Sequence, residues 1–443
     1  MTVHTRAIRR TRLLAGAAGV ALLLGACSSG GSKADDTKDA ADGYDPAAQV
    51  TITWWTGQTT EAEATAEQLA AEYTKAHPNV TIKTSTGAST TDDLLTKLSA
   101  GFTGGSYPDI SYAYGSWAGE LATSGKTQNL AKYVADPSFG WQEIPEAARS
   151  TATYDGKVIG VPALVDNLAL IYNPKLFDDA KIPYPTDQWS WDDYRAAAKK
   201  LTNTAQNQYG SAYSVSGSED TTWHLWPMLW QRGGKILEGK KPAFNSDAGV
   251  AALELLRAMA VDDKSMYLDQ TDEKYVPLFA DGHIGMIMSG PWTLLDLKEA
   301  GLEYGVTQLP GHNGDHQTVS GPDLWVLFDH ADANRAGASR DFIKWLTSKE
   351  TDAKWNLAIG NLPLRSSEQG TPEFASYVKE YPGGQKFFDN LANAKQARPT
   401  LAGYEEMSRN VGDAIAKVLQ GAAKPKEALD DAAKKSVGVL EDS

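Results

Sequence analysis

The stretch VTITWWTGQTTEAEATAEQLAAEYTKAHPNVTIKTS, residues 50–85, decides the fold class. VTITWW, at its start, alternates its side chains with a period of two, and we interpret VTIKTS, at its end, as the next strand. The residues between them follow a helix pattern, with threonines before it, glutamates in its first turn and Pro78 just beyond its end. A strand, a helix and a second strand predict a βαβ unit with parallel strands.

The same alternation continues beyond this unit. TTDDLLTKLSAGF, residues 90–102, predicts a helix, and PDISYAY, residues 108–114, predicts a third strand. The fold class is therefore α/β with a mostly parallel sheet, and the lack of a fixed repeat argues against solenoids and propellers. Ligands of open parallel sheets bind beyond the carboxyl ends of the strands. Trp54 and Trp55 lie at one such end, and the aromatic segment 109–117 lies at another.

The first residues resemble a targeting segment rather than part of the fold. Residues 1–26 contain a basic start and an apolar run too short to span a bilayer, as in a signal peptide. The run ends in LLGAC, and Cys27 is the only cysteine in the chain. This order resembles the lipobox of bacterial lipoprotein precursors, which implies a diacylglycerol on Cys27; the alternative is a leftover thiol. Residues 27–47 are small and polar, which predicts a flexible tether.

Charge and length restrict the class of protein further. The chain has 42 Lys and Arg against 56 Asp and Glu, a net charge of −14, and losing the four arginines of the signal gives −14 − 4 = −18. Such a surface argues against nucleic acid or anionic lipid as ligand. No later apolar run is long enough for a transmembrane helix, and a body of about 395 residues usually forms two domains.

An ordered series of segments follows the lipobox and tether. The segments are TITWW, AEYTKAHPNVTI, YPDISYAYGSWAGEL, DGKVIGVPALVDNLALIYNPKLF, FADGHIGMIMSGPWTLLDL, YGVTQLPG, SGPDLWVLF and AIGNLPLRSS, and a helical tail ends the chain. In this order they resemble the extracellular solute-binding proteins of ATP-binding-cassette importers, in the class typified by maltose-binding protein. The likeness covers essentially the whole mature body.

This resemblance implies two lobes, each a mostly parallel sheet flanked by helices, joined by three crossings and closing on a sugar in the cleft between them. The lobes would comprise residues 48–163 with 322–372, and residues 164–321 with 373–443. The family implies a monomer on the outer face of the membrane, held only by its lipid anchor, that delivers its ligand to permease subunits. It implies no catalysis, and we expect no cofactor, metal or nucleic acid. SGPDLW departs from the family's usual Ser-Gly-Gly, which leaves the contacts there open.

The tryptophans suit the apolar face of a pyranose, whose hydroxyl rim suits acids, amides and arginine. In the family the Gly-Pro-Trp aromatic stacks on sugar, which implies this role for Trp292; the alternative is a hydrophobic staple. Trp223 follows an acidic loop and is a second ligand candidate, with core packing as its alternative. Trp54 and Trp55 are neighbours in a predicted strand, so their side chains must point to opposite faces. We therefore expect one of them to pack in the core and the other to border the cleft.

Further candidates are polar residues for the rim and aromatic residues near it. They are Asp109, Asp166, Asn167, Arg365, Tyr114, Trp117 and Tyr404. The alternative is a turn acid or helix cap for Asp109, a solvated hinge acid for Asp166 and Asn167, and a surface ion pair for Arg365. Tyr404 would close the cleft from the C-terminal tail.

Other functions are weaker readings of the same sequence. A secreted glycoside hydrolase would also be acidic and rich in tryptophan, and 56 acids leave room for its carboxylate pair. A surface adhesin would be expected to contain repeats. GFTGGS lacks the lysine of a phosphate-binding loop, and His312 and His316 flank an Asn-Gly turn rather than a metal motif. The sequence therefore predicts a receptor for a di- or trisaccharide.

Overall fold

The computed structural model describes residues 39–58, 60–89, 91 and 93–441. The predicted signal peptide, Cys27 and the start of the tether lie outside these residues. The strands are β1 Val50–Trp55, β2 Val80–Ser85, β3 Ile110–Tyr114, β4 Thr153–Tyr154, β5 Lys157–Val158, β6 Gly160–Leu164, β7 Ala169–Tyr172, β8 Tyr209–Ser214, β9 Leu237–Glu238, β10 Lys241–Pro242, β11 Met266–Asp269, β12 Ile284–Ser289, β13 Gly305–Thr307, β14 Val319–Ser320, β15 Asp323–Leu327 and β16 Gln396–Ala397.

The helices separate and flank these strands. They are α1 Thr60–Ala76, α2 Asp93–Gly104, α3 Ala118–Thr123, α4 Ala131–Val134, α5 Glu146–Thr151, α6 Pro174–Ala180, α7 Trp191–Leu201, α8 Glu219–Trp223, α9 Leu225–Trp230, α10 Asp247–Arg257, α11 Tyr275–Ala280, α12 Thr293–Glu299, α13 Ala333–Leu346, α14 Lys349–Ile359, α15 Pro372–Glu380, α16 Gly384–Asn390, α17 Tyr404–Leu419 and α18 Pro425–Glu441.

The first five-stranded sheet has the order β2-β1-β3-β15-β6. β1 pairs in parallel with β2 and with β3, as the βαβ pattern predicts. β15 comes from much later in the chain and pairs antiparallel with both β3 and β6. The late strand therefore lies along the whole of β3, with Asp323 opposite Tyr114 at the carboxyl end of β3.

The second five-stranded sheet has the order β11-β8-β12-β7-β13. β8 pairs in parallel with β11 and β12, whereas β7 pairs antiparallel with β12 and β13. The α/β class is confirmed, and each sheet combines two parallel with two antiparallel pairings. Strands joined by helical crossovers run parallel, and strands that follow a passage between the sheets do not.

Hydrophobic clusters cover both faces of the second sheet. Leu168 and Leu170 belong to the cluster packed by α7, α9, α10, α17 and α18, while Ala169 and Ile171 belong to a cluster on the other face. This alternation follows from the period of two along a strand. A separate cluster surrounds the first sheet and extends from Ile52 through α13 to Ile359. The lobe boundaries given above stay a prediction.

Several chain segments pass between the two sheets side by side. Val165 forms a backbone bridge with Leu362, and Asn167 forms one with Ser320. β14 pairs in parallel with β16, which brings residues 396–397 to the same place. These bridges bring the connecting segments together and fix the residues that follow them, including Asp323.

The segment 39–47 differs from the predicted flexible tether. Tyr44 donates a hydrogen bond to Asp341 Oδ2 over 2.9 Å, and its ring lies against Gly337 of α13. Asp39 forms an ion pair with Arg340 at 2.7 Å. The prediction rested on the small, polar composition of the segment and overlooked one aromatic side chain and one acid that bind it to α13. In the part of the chain that the structure describes, no helix combines the length and apolar character that crossing a membrane requires.

Candidate functional site

A cavity of about 410 Å³ lies where the ends of β3, β6 and β15 face α8 and α12. Its wall combines aromatic rings, carboxyl groups, one guanidinium and small polar groups. The lining residues are Gln58, Thr91, Tyr112, Tyr114, Leu164, Asp166, Ser218, Glu219, Asp220, Trp223, Asp272, Tyr275, Trp292, Asp323, Ile359, Asn361 and Arg398.

Two of the lining tryptophans stack on each other. The rings of Trp223 and Trp292 lie 5.5 Å apart with an interplanar angle of 23°. The guanidinium carbon of Arg398 lies 5.6 Å over the Trp223 ring. Trp223 is therefore held between a cation and an aromatic ring and is buried, whereas Trp292 remains partly exposed. Of the pair, Trp292 is the ring more accessible to a ligand.

Two glycines, Gly290 and Gly321, leave the space that these side chains occupy. A Cβ atom on Gly290 would lie 1.9 Å from the Trp292 ring, so the indole folds back over a position without a side chain. A Cβ atom on Gly321 would lie 1.9 Å from Asp166 Oδ1 and 2.5 Å from Trp223. Both distances are far below van der Waals contact. Glycine at 290 and 321 is therefore needed for the observed arrangement of the wall.

Arg398 is the centre of the charged part of the cavity. Its Nη1 lies 3.3 Å from Glu219 Oε1 and its Nη2 lies 3.6 Å from Asp323 Oδ1. Glu219 begins α8, beside the second sheet, and Asp323 begins β15 in the first sheet. Arg398 is 9% exposed, and its burial opposes the charge, but Glu219 and Asp323 outweigh this effect and raise the pKa of Arg398. Arg398 therefore stays charged and joins the two sides of the cavity.

The carboxyl groups nearest Arg398 have shifted proton affinities. Burial raises the pKa of Asp323 to about 6, although Arg398 and the Tyr112 hydroxyl, which donates to Asp323 Oδ2 over 2.6 Å, both act to lower it. Burial, together with the charge of Asp323, raises the pKa of Asp166 well above its usual range. Perturbed carboxyl groups in a cavity are typical of functional sites.

The structure brings four of the predicted residues together in this cavity. They are Tyr114, Asp166, Trp223 and Trp292. They come from β3, from the passage after β6, from α8 and from the start of α12, which are distant in sequence. That all four line one cavity supports their selection, and their contact with a ligand stays a proposal.

Three predicted tryptophans lie elsewhere. Trp54 is 0% exposed and packs edge-on against Trp325 and Phe342 at 5.1 and 5.2 Å, so it belongs to the core. Trp55 is half-buried beneath Lys97 Nζ, which lies 4.8 Å from the ring centroid, and it does not line the cavity. Trp117 is buried in the same cluster as Trp54. We therefore correct the prediction that one of the adjacent pair borders the cleft.

Two predicted charged residues form internal contacts instead. Asp109 accepts hydrogen bonds from the Thr53 amide and hydroxyl and from two nitrogens of Arg335, each over 2.8 Å. It joins β1 to α13 and is buried. Arg365 donates to the backbone carbonyls of Thr347 and Phe139 over 2.6 and 3.3 Å. Neither residue lines the cavity, because the loops that carry them turn toward α13 and α14.

Asn167 and Tyr404 lie next to the site without lining it. The Asn167 amide donates to the Phe387 carbonyl over 2.9 Å and accepts from Asn390 over 2.7 Å, so it fastens the passage between the sheets. The Tyr404 hydroxyl donates to Glu219 Oε1 over 2.9 Å. Tyr404 thus orients a carboxylate that contacts Arg398, which is a supporting role rather than the predicted closing one.

The sequence reasoning missed several lining residues, and some had a signal. Gln58 and Thr91 follow β1 and β2, at the carboxyl ends of parallel strands where ligands are expected. Asp323 was noticed only as a departure from the family pattern. Arg398 stands alone before Pro399 in a segment without periodicity. Its partners are 75 or more positions away, and no local pattern predicts such a contact.

Comparison with known proteins relates this architecture to a family. The model for bacterial extracellular solute-binding proteins matches residues 68–382. The crystal structure of cyclic alpha-maltosyl-1,6-maltose binding protein from Arthrobacter globiformis is 26% identical, with a TM-score of 0.76 over 89% of this chain and 100% of that chain. It has the same fold, and the likeness to two-lobed solute-binding proteins drawn from the ordered segments is confirmed.

Relatives of known name differ in what they bind. The maltotriose-binding protein of Pyrococcus abyssi is 22% identical over 72% of this chain and 67% of the relative. The sn-glycerol-3-phosphate-binding periplasmic protein of Brucella melitensis is 21% identical over 88% of this chain and 92% of the relative. Because the family match covers well over half of the sequence, the chain belongs to the bacterial extracellular solute-binding proteins.

Proposed function

We propose that the protein binds a short oligosaccharide, a di- or trisaccharide, in the cavity between its two sheets and delivers it to permease subunits of an ATP-binding-cassette importer. In this proposal it is a monomer, anchored to the outer face of the membrane through a lipid on Cys27. It binds its ligand and does not alter it.

The observation that carries the proposal is a partly exposed indole beside a polar rim. Trp292, supported from behind by Trp223, offers a flat apolar surface for the C–H face of a pyranose. Asp166, Asn361 and Ser218 line the same cavity and can exchange hydrogen bonds with sugar hydroxyls. An apolar platform and a few convergent polar groups are what a small-ligand site requires.

The size of the cavity and two relatives support an oligosaccharide. A volume of about 410 Å³ falls within the range of roughly 300–1,000 Å³ of small-molecule pockets. The Arthrobacter and Pyrococcus proteins are named for binding cyclic alpha-maltosyl-1,6-maltose and maltotriose. We extend to this chain only the class of ligand, a short oligosaccharide.

The contacts of Arg398 support closure of two lobes around the ligand. The guanidinium lies between carboxylates that belong to opposite sides of the cavity, so it stabilises the arrangement in which the two sides meet. We propose lobes of residues 48–163 with 322–372 and of residues 164–321 with 373–443. A sugar that contacts both sides would shift the population further toward this closed arrangement.

The test is a thermal-shift screen of the mature protein against glucose, maltose, trehalose, sucrose and maltotriose. A ligand that binds only the native state raises the melting temperature in proportion to the logarithm of its concentration. We expect a concentration-dependent rise with at least one di- or trisaccharide and a smaller rise with glucose. No rise with any sugar at millimolar concentration would contradict the proposal.

The enzyme alternative is separated by analysing the same sugars after incubation. A glycoside hydrolase needs two carboxyl groups placed across the scissile bond. In this cavity Glu219 and Asp323 share a single guanidinium. We expect chromatography to recover each sugar unchanged after overnight incubation with a catalytic amount of protein. Hydrolysis product in excess of the protein concentration would show that the protein is a hydrolase rather than a binding protein.

A further inference from the structure

The cavity has a large excess of acidic over basic side chains. Among the described residues that line it, five carry a carboxyl group and one carries a cation. The carboxyl groups belong to Asp166, Glu219, Asp220, Asp272 and Asp323, and the cation is Arg398. A ligand that enters this space therefore meets carboxyl groups on several sides.

The cation of the lining, Arg398, already forms ion pairs with two protein carboxylates. Arg398 lies 3.3 Å from Glu219 and 3.6 Å from Asp323, and both aromatic neighbours, Tyr114 and Trp223, lie within 6 Å of its guanidinium carbon. Phosphate recognition by arginine relies on a free fork of N–H donors. To use this fork, a phosphate would have to displace a carboxylate and then lie beside it, and like charges placed so closely repel each other.

Asp166 adds an unsatisfied group to the same wall. Its side chain is 5% exposed, and its Oδ1 has no hydrogen-bond partner in the described part of the chain. A buried polar atom without a partner costs free energy that a suitable ligand can recover. A hydroxyl can donate to this oxygen, whereas an ionised phosphate has only acceptors to offer. The carboxyl group thus favours ligands rich in O–H donors.

We propose that the cavity selects an uncharged, polyhydroxylated ligand and rejects phosphate esters, and that Asp166 is a specificity-determining residue for this choice. This inference rests on the proposed function and narrows it. It separates the chain from its relative in Brucella melitensis, which is named for binding sn-glycerol 3-phosphate, although the two are 21% identical over 88% of this chain.

The experiment is calorimetric titration at pH 7 with matched ligands. The pairs are maltose with maltose 1-phosphate, trehalose with trehalose 6-phosphate and sucrose with sucrose 6-phosphate; glycerol 3-phosphate is a further probe. We expect the neutral member of each binding pair to bind at least about tenfold more tightly, since like-charge contacts act against the ester, and no binding of glycerol 3-phosphate. A phosphate ester that binds as tightly as its neutral sugar, or tight binding of glycerol 3-phosphate, would overturn the inference but not the assignment as a solute-binding protein. Binding of none of the neutral sugars would contradict the proposed function and the inference together.

A variant tests the role of Asp166 directly. Asp166→Asn replaces the carboxyl group at nearly constant shape with an amide, whose N–H groups can donate to a phosphate, so the ratio of ester to neutral dissociation constants should fall by about fivefold or more. Asp179→Asn is the matched control, because Asp179 is an exposed acid of α6 that pairs with Lys175 and does not line the cavity. The control should leave the ratio unchanged. An unchanged ratio in Asp166→Asn, with native circular dichroism, would remove Asp166 from this role.

Discussion

Gly321 shows at the scale of a single residue how a missing side chain shapes the cavity. Its backbone lies so close to Asp166 and Trp223 that a Cβ atom would overlap both. The departure from the family pattern around SGPDLW therefore leaves in place the one feature that the cavity needs there, a position without a side chain. Trp223, in turn, supports Trp292, so a change at 321 affects the aromatic platform through one intermediate contact.

Gly321→Ala should weaken oligosaccharide binding by about tenfold or more, because Asp166 and Trp223 must move away from the added methyl group. Affinity can be measured by calorimetry with the sugar found in the screen. Gly438→Ala is the matched control, since no atom lies within 4 Å of a Cβ atom at that position in α18. Equal affinities of the two variants would show that the space at 321 has no role in binding.

Trp292→Ala should weaken oligosaccharide binding by about 2 kcal/mol or more, as truncation of a buried aromatic anchor typically does. The comparison variant is Trp345→Ala, which removes another half-buried indole that packs against the cluster of the first sheet but does not line the cavity, and it should leave affinity unchanged. Calorimetry gives both values. If Trp292→Ala binds as wild type does, the indole is not part of the site.

The raised pKa values of Asp166 and Asp323 predict a pH dependence of stability. A carboxyl group whose pKa is raised by folding keeps its proton in the native state at pH values where the unfolded chain has lost it. The free energy of unfolding therefore falls as the pH rises from about 4 through about 6 for Asp323 and further for Asp166. Asp166→Asn removes the contribution of Asp166 to this loss of stability. The melting temperature of the variant relative to wild type should therefore increase between pH 4 and pH 8. A relative melting temperature that stays constant or decreases over this range would contradict the shift.

At the scale of elements, the sequence predicted most of the first sheet. VTITWW, VTIKTS and PDISYAY correspond to β1, β2 and β3, and the two helices between them begin and end within a few residues of their predicted positions. These elements were predictable because their signals are local: alternation, caps and a proline after the helix. The α/β class followed from their order.

Contacts between elements were less predictable, because they depend on which face of a strand turns inward. Alternation required Trp54 and Trp55 to point to opposite sides but did not show that the accessible side of β1 lies under Lys97 rather than at the cavity. Asp109 directly precedes β3, at the amino end of the strand rather than the carboxyl end where ligands are expected, and it accepts a hydrogen bond from Arg335, 226 positions later. Arg398, the centre of the site, had no local signal at all.

The segment 39–47 is an element that composition alone described poorly. Tyr44→Ala should lower the free energy of unfolding by about 1–2 kcal/mol, because it removes the contact with Gly337 and the hydrogen bond to Asp341. Urea denaturation measures the change, and limited proteolysis should show earlier cleavage near residue 44. Tyr184→Ala, at a tyrosine that is 41% exposed, is the control and should cost less. If Tyr44→Ala lowers the free energy of unfolding no more than the control does, the segment is a flexible tether after all.

At the scale of the whole molecule, two sheets share one cavity and Arg398 connects their sides. Arg398→Met should increase the radius of gyration of the sugar-free protein, because the charge contacts across the cavity are lost while the apolar stem is kept. Small-angle X-ray scattering measures the change. Arg398→Lys keeps the positive charge but lacks the planar guanidinium, so its radius of gyration should lie between those of the wild type and Arg398→Met. Identical scattering of all three proteins would show that Arg398 does not hold the two sides together.

The most direct test of a sugar-binding cavity between the two sheets is a crystal structure with the di- or trisaccharide that gives the largest thermal shift. We predict an intact saccharide with one ring against the indole of Trp292 and hydroxyls within hydrogen-bond distance of Asp166 and Asn361. A saccharide bound on the outer surface, with this cavity empty, or a cleaved saccharide within it, would contradict the account.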